Sequence, residues 1–553
     1  MTWWVTVAAV RIHNWIQQTP KLSHMRGASR ALSVRTSPRA VGVLDAFPSV
    51  QVKERESGVD GVVVATAPDA DTAAAYARAL LGHLAHELPG VQWESWWCEA
   101  DSYVAAFSRS VDAFADGVSR LRRYPALLEA GPVMSCLMCR SEPATRAGGA
   151  VTKVVGDDDP EADTTQGAGC EVRKNEGTVN KGKPDPRDLR SQIPGRKLAK
   201  DFADLARFGG VTTGAAGGAL GRKESRNHLA TVYADGNGMG AFFQALSSTT
   251  LPATELQGRA ISDLNTATLN AVAEAAREVA DDPDTAAIEP HFVGGDDVLV
   301  SVPATYAWTF VAYLARYFEA LRGTLHELLA KDLDEAARSG SLSLSKPLAK
   351  EVSTSSTNEN QRIPKDPRAV ELAERIDAIS LGIGVTFAHA SYPFAEAEGA
   401  AGAALKQAKV HARGQFSAIG WVDVTAQFAM RGRQPAYVLS AQQARDELDI
   451  STGDEAARPV FRLTPSARSQ LAAILRDEPE ATVRQVIAQW ANRLEDKELA
   501  KALLDLADAQ QAWALLEPKE QEKSSVEAVW ADGLRADLSR ARWWPNVNRK
   551  VER

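Results

Sequence analysis

The chain has 553 residues and a formal net charge of −8. This length predicts about three or four domains, each able to bury a core, and the negative charge means that any contact with nucleic acid needs local basic patches. We expect neither a membrane span nor a signal peptide, because the sequence has no apolar run of about 18 residues and no basic region before an apolar one at its start. Four cysteines are too few for a disulfide framework, which favours a reducing cytoplasm.

Residues 1–130 are predicted to form a mixed α/β unit. Period-two and helical patterns indicate three strands and one helix, in the chain order Val5–Val10, Val62–Thr66, Asp71–Glu87 (the helix) and Val91–Trp97. Three tryptophans in the last strand, Trp93, Trp96 and Trp97, are interpreted as core or as a subunit interface.

Residues 131–224 contain few large apolar side chains and are interpreted as a small insert with linkers. Cys136 and Cys139 have the C-x-x-C spacing of half a zinc site, Cys170 is a candidate third ligand, and a fourth is not evident. The alternative is a lost or reduced site. The basic stretch from Arg173 to Lys200 is compatible with an RNA-backbone contact or with a solvated linker.

Two acidic motifs follow apolar runs that are typical of buried strands. The first is Y-A-D-G-N-G-M-G from Tyr233 to Gly240, and the second is G-G-D-D from Gly294 to Asp297. Another apolar run, Val298–Val302, follows the second motif, so the sequence predicts a strand-turn-strand hairpin with the acids at its tip. Either motif alone is typical of an ordinary turn.

The two motifs together favour a catalytic site. A helical pattern from Glu255 to Val279 separates them, and strand, Asp, helix, strand, Gly-Gly-Asp-Asp, strand is the order of a palm-type domain. Clustered carboxylates repel one another unless a cation lies between them, so Asp235, Asp296 and Asp297 are candidate ligands of Mg²⁺ or Mn²⁺. This ligand set suits phosphoryl or nucleotidyl transfer.

The catalytic palm is predicted to span residues 225–425. Residues 339–368 contain low-complexity sequence and are expected to form a disordered loop. Ile379–Ala388 is predicted to be a strand that continues the same sheet. Residues 426–553 have helical periodicity and are interpreted as a helical C-terminal domain.

The chain resembles the large, polymerase-type subunit of type III CRISPR effector complexes, which is related to the nucleotide cyclase palm. The two acidic motifs are similar to that family's first metal-binding loop and signature hairpin. Three further segments agree in order: W-I-Q-Q-T-P-K-L-S-H-M-R-G-A-S-R-A-L-S (Trp15–Ser33), L-G-I-G-V-T-F-A-H-A-S-Y-P-F (Leu381–Phe394) and A-L-K-Q-A-K-V-H-A-R-G (Ala404–Gly414).

The resemblance implies an α/β (α+β) protein with two ferredoxin-like palm domains, the first degenerate, plus a small insert with a candidate zinc site and a helical C-terminal domain. It implies synthesis of cyclic oligoadenylates from ATP when the complex binds target RNA. The implied partners are CRISPR RNA, target RNA and other type III effector subunits, with no membrane.

The resemblance also implies roles for individual residues. Asp235 and Asp296 are expected to ligate metal, with Asp297 alongside. Lys409, or alternatively Lys406, is expected to contact the triphosphate. Backbone amides at a helix start are implied to face the phosphates, and they belong to Gly236, Asn237, Gly238, Met239 and Gly240. Gly294 and Gly295 of the hairpin are implied to lie against a base or ribose. Ser29 is implied to contact a second ATP across the interface between the two palms.

The sequence departs from the family in two places. Many members begin with a His-Asp nuclease domain, whereas none of the nine histidines here precedes an aspartate, so we expect no DNA cleavage by this subunit. The family's zinc site often has two C-x-x-C pairs, and this sequence has one. Two other functions are alternatives. A stand-alone dinucleotide cyclase is disfavoured because G-G-D-D-V lacks the Glu-Phe ending, and a silent scaffold because the carboxylates are intact.

Overall fold

The structure is a computed structural model. It describes residues 2–124, 135–145, 166–178, 198–209, 227–279, 286–340, 366–425, 437–450, 460–508 and 526–543, with short gaps at 20, 38–42, 58, 113–114, 461–462 and 464.

The amino-terminal part is built on a five-stranded antiparallel sheet. Its strands are β1 (Thr2–Val10), β2 (Gln51–Val52), β3 (Val62–Ala67), β4 (Gln92–Ala100) and β5 (Ser119–Arg123). Its helices are α1 (Ile12–Gln17), α2 (Leu22–Arg35), α3 (Ala70–Glu87) and α4 (Tyr103–Val111). The spatial order β2-β3-β1-β4-β5 contains the ferredoxin-like arrangement, extended by β5. Trp93, Trp96 and Trp97 are buried, as predicted.

Two short helices of the described residues follow β5 along the chain and precede the second sheet, α5 (Ala168–Thr178) and α6 (Phe202–Phe208). The basic stretch predicted to be a linker or an RNA contact begins inside α5. Its first residue, Arg173, is fully buried, so the Arg173 side chain is not part of the solvated surface of this stretch. Residues 179–197, which carry most of the other basic side chains of this stretch, lie outside the described residues.

The second sheet has six strands in the described residues. They are β6 (His228–Asn237), β7 (Glu289–Gly294), β8 (Asp297–Pro303), β9 (Ser380–His389), β10 (Ala418–Asp423) and β11 (Tyr437–Ser440). The order is β11-β10-β9-β6-β8-β7, and β9 and β10 are the parallel pair. The β9-β6-β8-β7 part is again ferredoxin-like. The predicted fold class, with two ferredoxin-like palms, is therefore confirmed.

Helices cover this second sheet. They are α7 (Met239–Ser248), α8 (Thr254–Val279), α9 (Ala307–Glu319), α10 (Leu321–Arg338), α11 (Pro367–Asp377) and α12 (Phe394–Ala412). Residues 341–365 of the loop predicted over 339–368 lie outside the described residues. Helix α11 begins inside the carboxyl end of the predicted loop. Its start is fixed by the Asp366 side chain, which accepts a hydrogen bond from the backbone N–H of Arg368.

The described elements that follow β11 are helices, whereas β11 itself lies within the region 426–553 that was predicted to be helical. They are α13 (Ala441–Ile450), α14 (Pro465–Asp477), α15 (Glu480–Ala491), α16 (Lys497–Asp508) and α17 (Val526–Trp543). The last helix docks on the second sheet, since Trp543 Nε1 donates to Asp423 at 2.7 Å and Trp421 Nε1 donates to Ser539 Oγ at 3.3 Å. Among the helices of the described ranges, none is both long and apolar enough to cross a lipid bilayer.

The two palms share an apolar interface. Phe292, Leu299 and Phe394 of the second palm belong to the core cluster of the first. A charged pair joins them as well: Arg26 Nε of α2 donates to Oε1 of the buried Glu289 at 2.9 Å. Because Glu289 begins β7, this contact ties the first palm to a strand of the acidic hairpin.

Candidate active site

Three carboxylates meet where β6 ends and β8 begins. Ala234 pairs with Val298 in the antiparallel register, so the next residue along β6, Asp235, lies beside Asp297. Asp296 is in the turn that precedes β8. The structure therefore brings together the three acids predicted to bind metal.

The acidic turn is a two-residue hairpin connection. Gly294 pairs with Asp297, which leaves Gly295 and Asp296 as the central residues. Gly295 has a φ of +63°, and a glycine with positive φ at the first central position is the requirement of a type II′ turn. On the neighbouring strand, a Cβ added at Gly236 would lie 2.8 Å from both Cβ and Oδ2 of Asp296, so the glycine there lets Asp296 approach β6.

The electrostatic environment at the hairpin tip disfavours ionisation of all the clustered aspartates at once. Burial, followed by the charge of Asp235, raises the pKa of Asp296 to about 6. Burial, followed by the charges of Asp235 and Asp296, raises the pKa of Asp297 to about 7. The repulsion between the neighbouring carboxylates contributes to these raised pKa values. A bound divalent cation would remove that repulsion, because hard cations bind carboxylate oxygens.

Within the described ranges, the charge that lowers the pKa of both Asp296 and Asp297 is that of Lys409. Its Nζ donates to Oδ2 of Asp235 and lies 3.4 Å from the carbonyl oxygen of Gly236. Helix α12 can bring it there because it packs closely on β9: a Cβ added at Gly382 would lie 2.8 Å from Cγ of Lys409. Lys406, the alternative predicted from sequence, is exposed on the same helix.

The predicted glycine-rich loop leads into a helix, as expected. Met239 is the first residue of α7, and Gly238 precedes it with a φ of +79°. The Asn237 side chain is buried and donates to Ser380 Oγ at 3.1 Å, so its amide holds β6 to β9. Contact of the backbone amides from Gly236 to Gly240 with phosphates stays a prediction.

The hairpin glycines and Ser29 were also predicted to contact nucleotides. A Cβ added at Gly294 would lie 3.1 Å from Cγ1 of Val59, so the space beside Gly294 is filled by the first palm, whereas Gly295 has open space. Ser29 is half-buried on α2, and the hydrogen bonds described for the acidic cluster do not include it. Roles for Gly294, Gly295 and Ser29 in nucleotide binding stay predictions.

Three residues that contact the site were not assigned a role there from the sequence. Tyr233, two residues before Asp235, has its pKa raised by burial and then by the charges of Asp297 and Asp235. The ring of His13 lies 5.2 Å from that of Tyr233 and 5.0 Å from that of Phe292. Asn265 reaches the hairpin from α8. These contacts join distant parts of the chain, so local patterns could not reveal them.

A second candidate site lies in the insert. Ligand atoms of Cys136, Cys139, Glu142 and Cys170 all lie within 4.8 Å of one another. Three thiols and a carboxylate form a donor set that fits a tetrahedral zinc ion. The structure thus brings together the three predicted cysteines and adds Glu142, three residues after Cys139, as the fourth candidate ligand.

The sulfur cluster is polar and charged although it is largely buried. Hydrogen bonds with Cys139 and then Cys170 lower the pKa of Cys136. The guanidinium of Arg173 donates to Cys170 Sγ at 3.1 Å and stacks over the ring of Trp15 at 4.8 Å. Hydrogen bonds with Cys136 and Cys139, and then burial, raise the pKa of Cys170, and the charge of Arg173 acts in the opposite direction. Metal binding requires the thiolate form.

Two ferredoxin-like sheets, with convergent carboxylates and a lysine on the second, define a palm-type α/β protein. Among solved structures, a crystal structure of a Csm1-Csm4 cassette in complex with cA4 matches with a TM-score of 0.48 and 13% identity, over 98% of this chain and 70% of that chain. A Csm1-Csm4 cassette in complex with AMPPNP matches with a TM-score of 0.47, 13% identity and the same coverage.

The crystal structure of Csm1 in T. onnurineus matches with a TM-score of 0.37 and 11% identity, over 98% of this chain and 70% of that chain. At TM-scores and identities this low, the similarity does not by itself assign a function to this chain. No protein-family model and no curated protein matches the sequence.

Proposed function

We propose that this chain is the large subunit of a type III CRISPR effector complex and a metal-dependent nucleotidyltransferase that makes cyclic oligoadenylates from ATP. The observation that carries the proposal is the meeting of Asp235 of β6, Asp297 of β8 and Asp296 of the turn before β8, beside the ammonium of Lys409. The motif resemblance supports the choice of family and of ATP as the substrate.

Each residue has a distinct task in this proposal. The three carboxylates hold Mg²⁺ or Mn²⁺, which when bound would activate the attacking hydroxyl and stabilise the leaving oxygen. The Lys409 ammonium neutralises Asp235 in the metal-free state. When a divalent ion balances that carboxylate, Lys409 can turn to the triphosphate oxygens, a charge-assisted contact.

Product analysis tests this function. The full-length chain, assembled with its partner subunits, CRISPR RNA and target RNA, would be incubated with ATP or GTP and Mn²⁺. We expect adenylate rings that depend on target RNA. Guanylate dimers formed without RNA would instead identify a stand-alone dinucleotide cyclase, and no product from either nucleotide would favour a scaffold.

A further inference from the structure

Helix α8 holds the acidic turn from outside its sheet. The strand ladder pairs the flanking residues Gly294 and Asp297, and two α8 side chains bind the peptide groups of Gly295. Oδ1 of Asn265 accepts a hydrogen bond from the Gly295 N–H at 3.1 Å. The hydroxyl of Thr268 lies 2.6 Å from the Gly295 carbonyl oxygen and 3.0 Å from the carbonyl oxygen of Leu264 on its own helix. The shorter distance is to Gly295, so both ends of one glycine are held by one helix.

The two side chains are well placed to act as a rigid support. Asn265 and Thr268 are three residues apart, so they project from the same side of the helix. Both are buried, at 8% and 0% exposure. Helix α8 is itself fixed in the palm core by neighbours such as Leu264 and Val272, so displacement of the two polar groups would disturb that core.

The turn needs such support for two reasons. A glycine has wide conformational freedom, so the two peptides that flank Gly295 could rotate if their N–H and C=O groups had no fixed partners. Mutual repulsion among Asp235, Asp296 and Asp297 also acts to open the turn. Hydrogen bonds to both peptides fix the direction in which Asp296 leaves the turn.

We propose that Asn265 and Thr268 are positioning residues of the metal site. They hold the Gly295 peptides so that Asp296 and Asp297 meet Asp235, and they act without touching the substrate. The turnover part of this inference rests on the proposed function, whereas the metal-binding part does not.

The test measures binding of Mn²⁺ alone to the full-length chain, from the electron paramagnetic resonance signal of free Mn²⁺. Asn265→Ala and Thr268→Val are each expected to weaken Mn²⁺ affinity about 10- to 100-fold, the usual cost of removing a group that orients a metal ligand. Thr268→Val keeps the side-chain volume, so it carries the test if Asn265→Ala does not fold. Thr268→Ser retains the hydroxyl and is expected to restore affinity.

Ser262→Ala is the matched control, since Ser262 is on the same helix and its hydroxyl donates to the carbonyl oxygen of Arg259 at 2.9 Å. It is expected to leave affinity at the wild-type value. In the assembled complex, Asn265→Ala and Thr268→Val should lower kcat with little change in the KM for ATP, because Lys409 is intact.

Wild-type Mn²⁺ affinity in both Asn265→Ala and Thr268→Val would overturn the inference. So would an equal loss in Ser262→Ala, which would indicate general weakening of α8. If the wild-type complex makes no product from ATP while the two variants still lose Mn²⁺ affinity, the proposed function fails and the positioning role stands.

Discussion

The ammonium of Lys409 contacts the carboxylate of Asp235 across 174 positions of sequence. This pair joins helix α12 to the end of β6 and gives the three clustered acids one positive charge. One ammonium does not balance three carboxylates. Burial and the remaining repulsion between the acids therefore raise the pKa values of Asp296 and Asp297. The metal-free site therefore has a deficit of positive charge.

Lys409→Ala is expected to weaken nucleotide binding. A charge-assisted hydrogen bond contributes about 1.5 to 3 kcal/mol, so the KM for ATP should rise about 10- to 100-fold. Lys406→Ala is the matched control, because Lys406 is an exposed lysine on the same helix, and its KM should stay near the wild-type value. The KM values are obtained from initial rates measured over a range of ATP concentrations. An unchanged KM in Lys409→Ala would contradict a contact between Lys409 and the triphosphate.

The pH dependence of stability follows from the hairpin acids. The pKa values of Asp296 and Asp297, about 6 and about 7, lie above their ordinary value of 3.8. The folded chain therefore holds these protons more tightly than the unfolded chain, and the metal-free protein gains stability as pH falls through 7 and then 6. Asp296→Asn with Asp297→Asn should lack this gain.

Melting temperatures of the metal-free wild type and of this double variant, measured from about pH 8 to about pH 5.5, test the prediction. The difference between the two proteins should shrink as the pH falls. Mn²⁺ affinity of the wild type should show the opposite trend and rise with pH, because protons compete with the metal for the same oxygens. Parallel melting profiles of the two proteins would contradict the assigned pKa shifts.

The close packing of α12 on the sheet predicts a selective glycine effect. A Cβ at Gly384 would overlap the carbonyl oxygen of Ala401 and lie 2.5 Å from the backbone nitrogen of Leu405. Gly384→Ala should destabilise the protein by about 1 to 3 kcal/mol and lower activity by moving Lys409. Gly399 lies on α12 with open space around it, so Gly399→Ala should be stabilising by about 0.5 to 1 kcal/mol. Denaturant unfolding of both variants checks this, and equal effects would refute the packing argument.

The cysteine cluster predicts one bound zinc ion per chain, measurable by elemental analysis. Cys136→Ser should abolish stoichiometric zinc, whereas Cys98→Ser, a buried thiol outside the cluster, should retain it. Glu142 also accepts the backbone N–H groups of Gly169 and Cys170 at 3.0 and 2.9 Å. Glu142→Gln keeps an acceptor and removes the charge, so it should fold but bind zinc more weakly. Wild-type zinc affinity in Glu142→Gln would leave Glu142 as a helix cap alone.

The sequence predicted features that depend on neighbouring residues. Alternating and continuous apolar runs located β6, β8 and β9, and helical spacing located α8 to within a residue at its start. The hairpin tip followed from glycines and acids between two strands. Such features are encoded locally, so periodicity and turn chemistry were sufficient to find them.

Features that depend on tertiary contacts were not predictable. Arg173 begins a basic stretch of the sequence, yet it is buried and its guanidinium lies over Trp15. Glu142 could not be identified as a ligand before its distance to Cys170 was known. Asn265 looks like any polar residue of a long helix, and its contact with Gly295 spans 30 positions. Side-chain chemistry alone does not reveal such partners.

The most direct test of the account is oligoadenylate synthesis by the assembled complex with Asp296→Ala and Asp297→Ala in this chain. Wild type and double variant would be compared with ATP, Mn²⁺ and target RNA, with product separated by chromatography and assembly checked by size exclusion. We expect the variant to assemble normally, to melt no lower than wild type without metal, and to make no cyclic product. Undiminished cyclic oligoadenylate from the purified variant would contradict the assignment of the hairpin as the catalytic metal site.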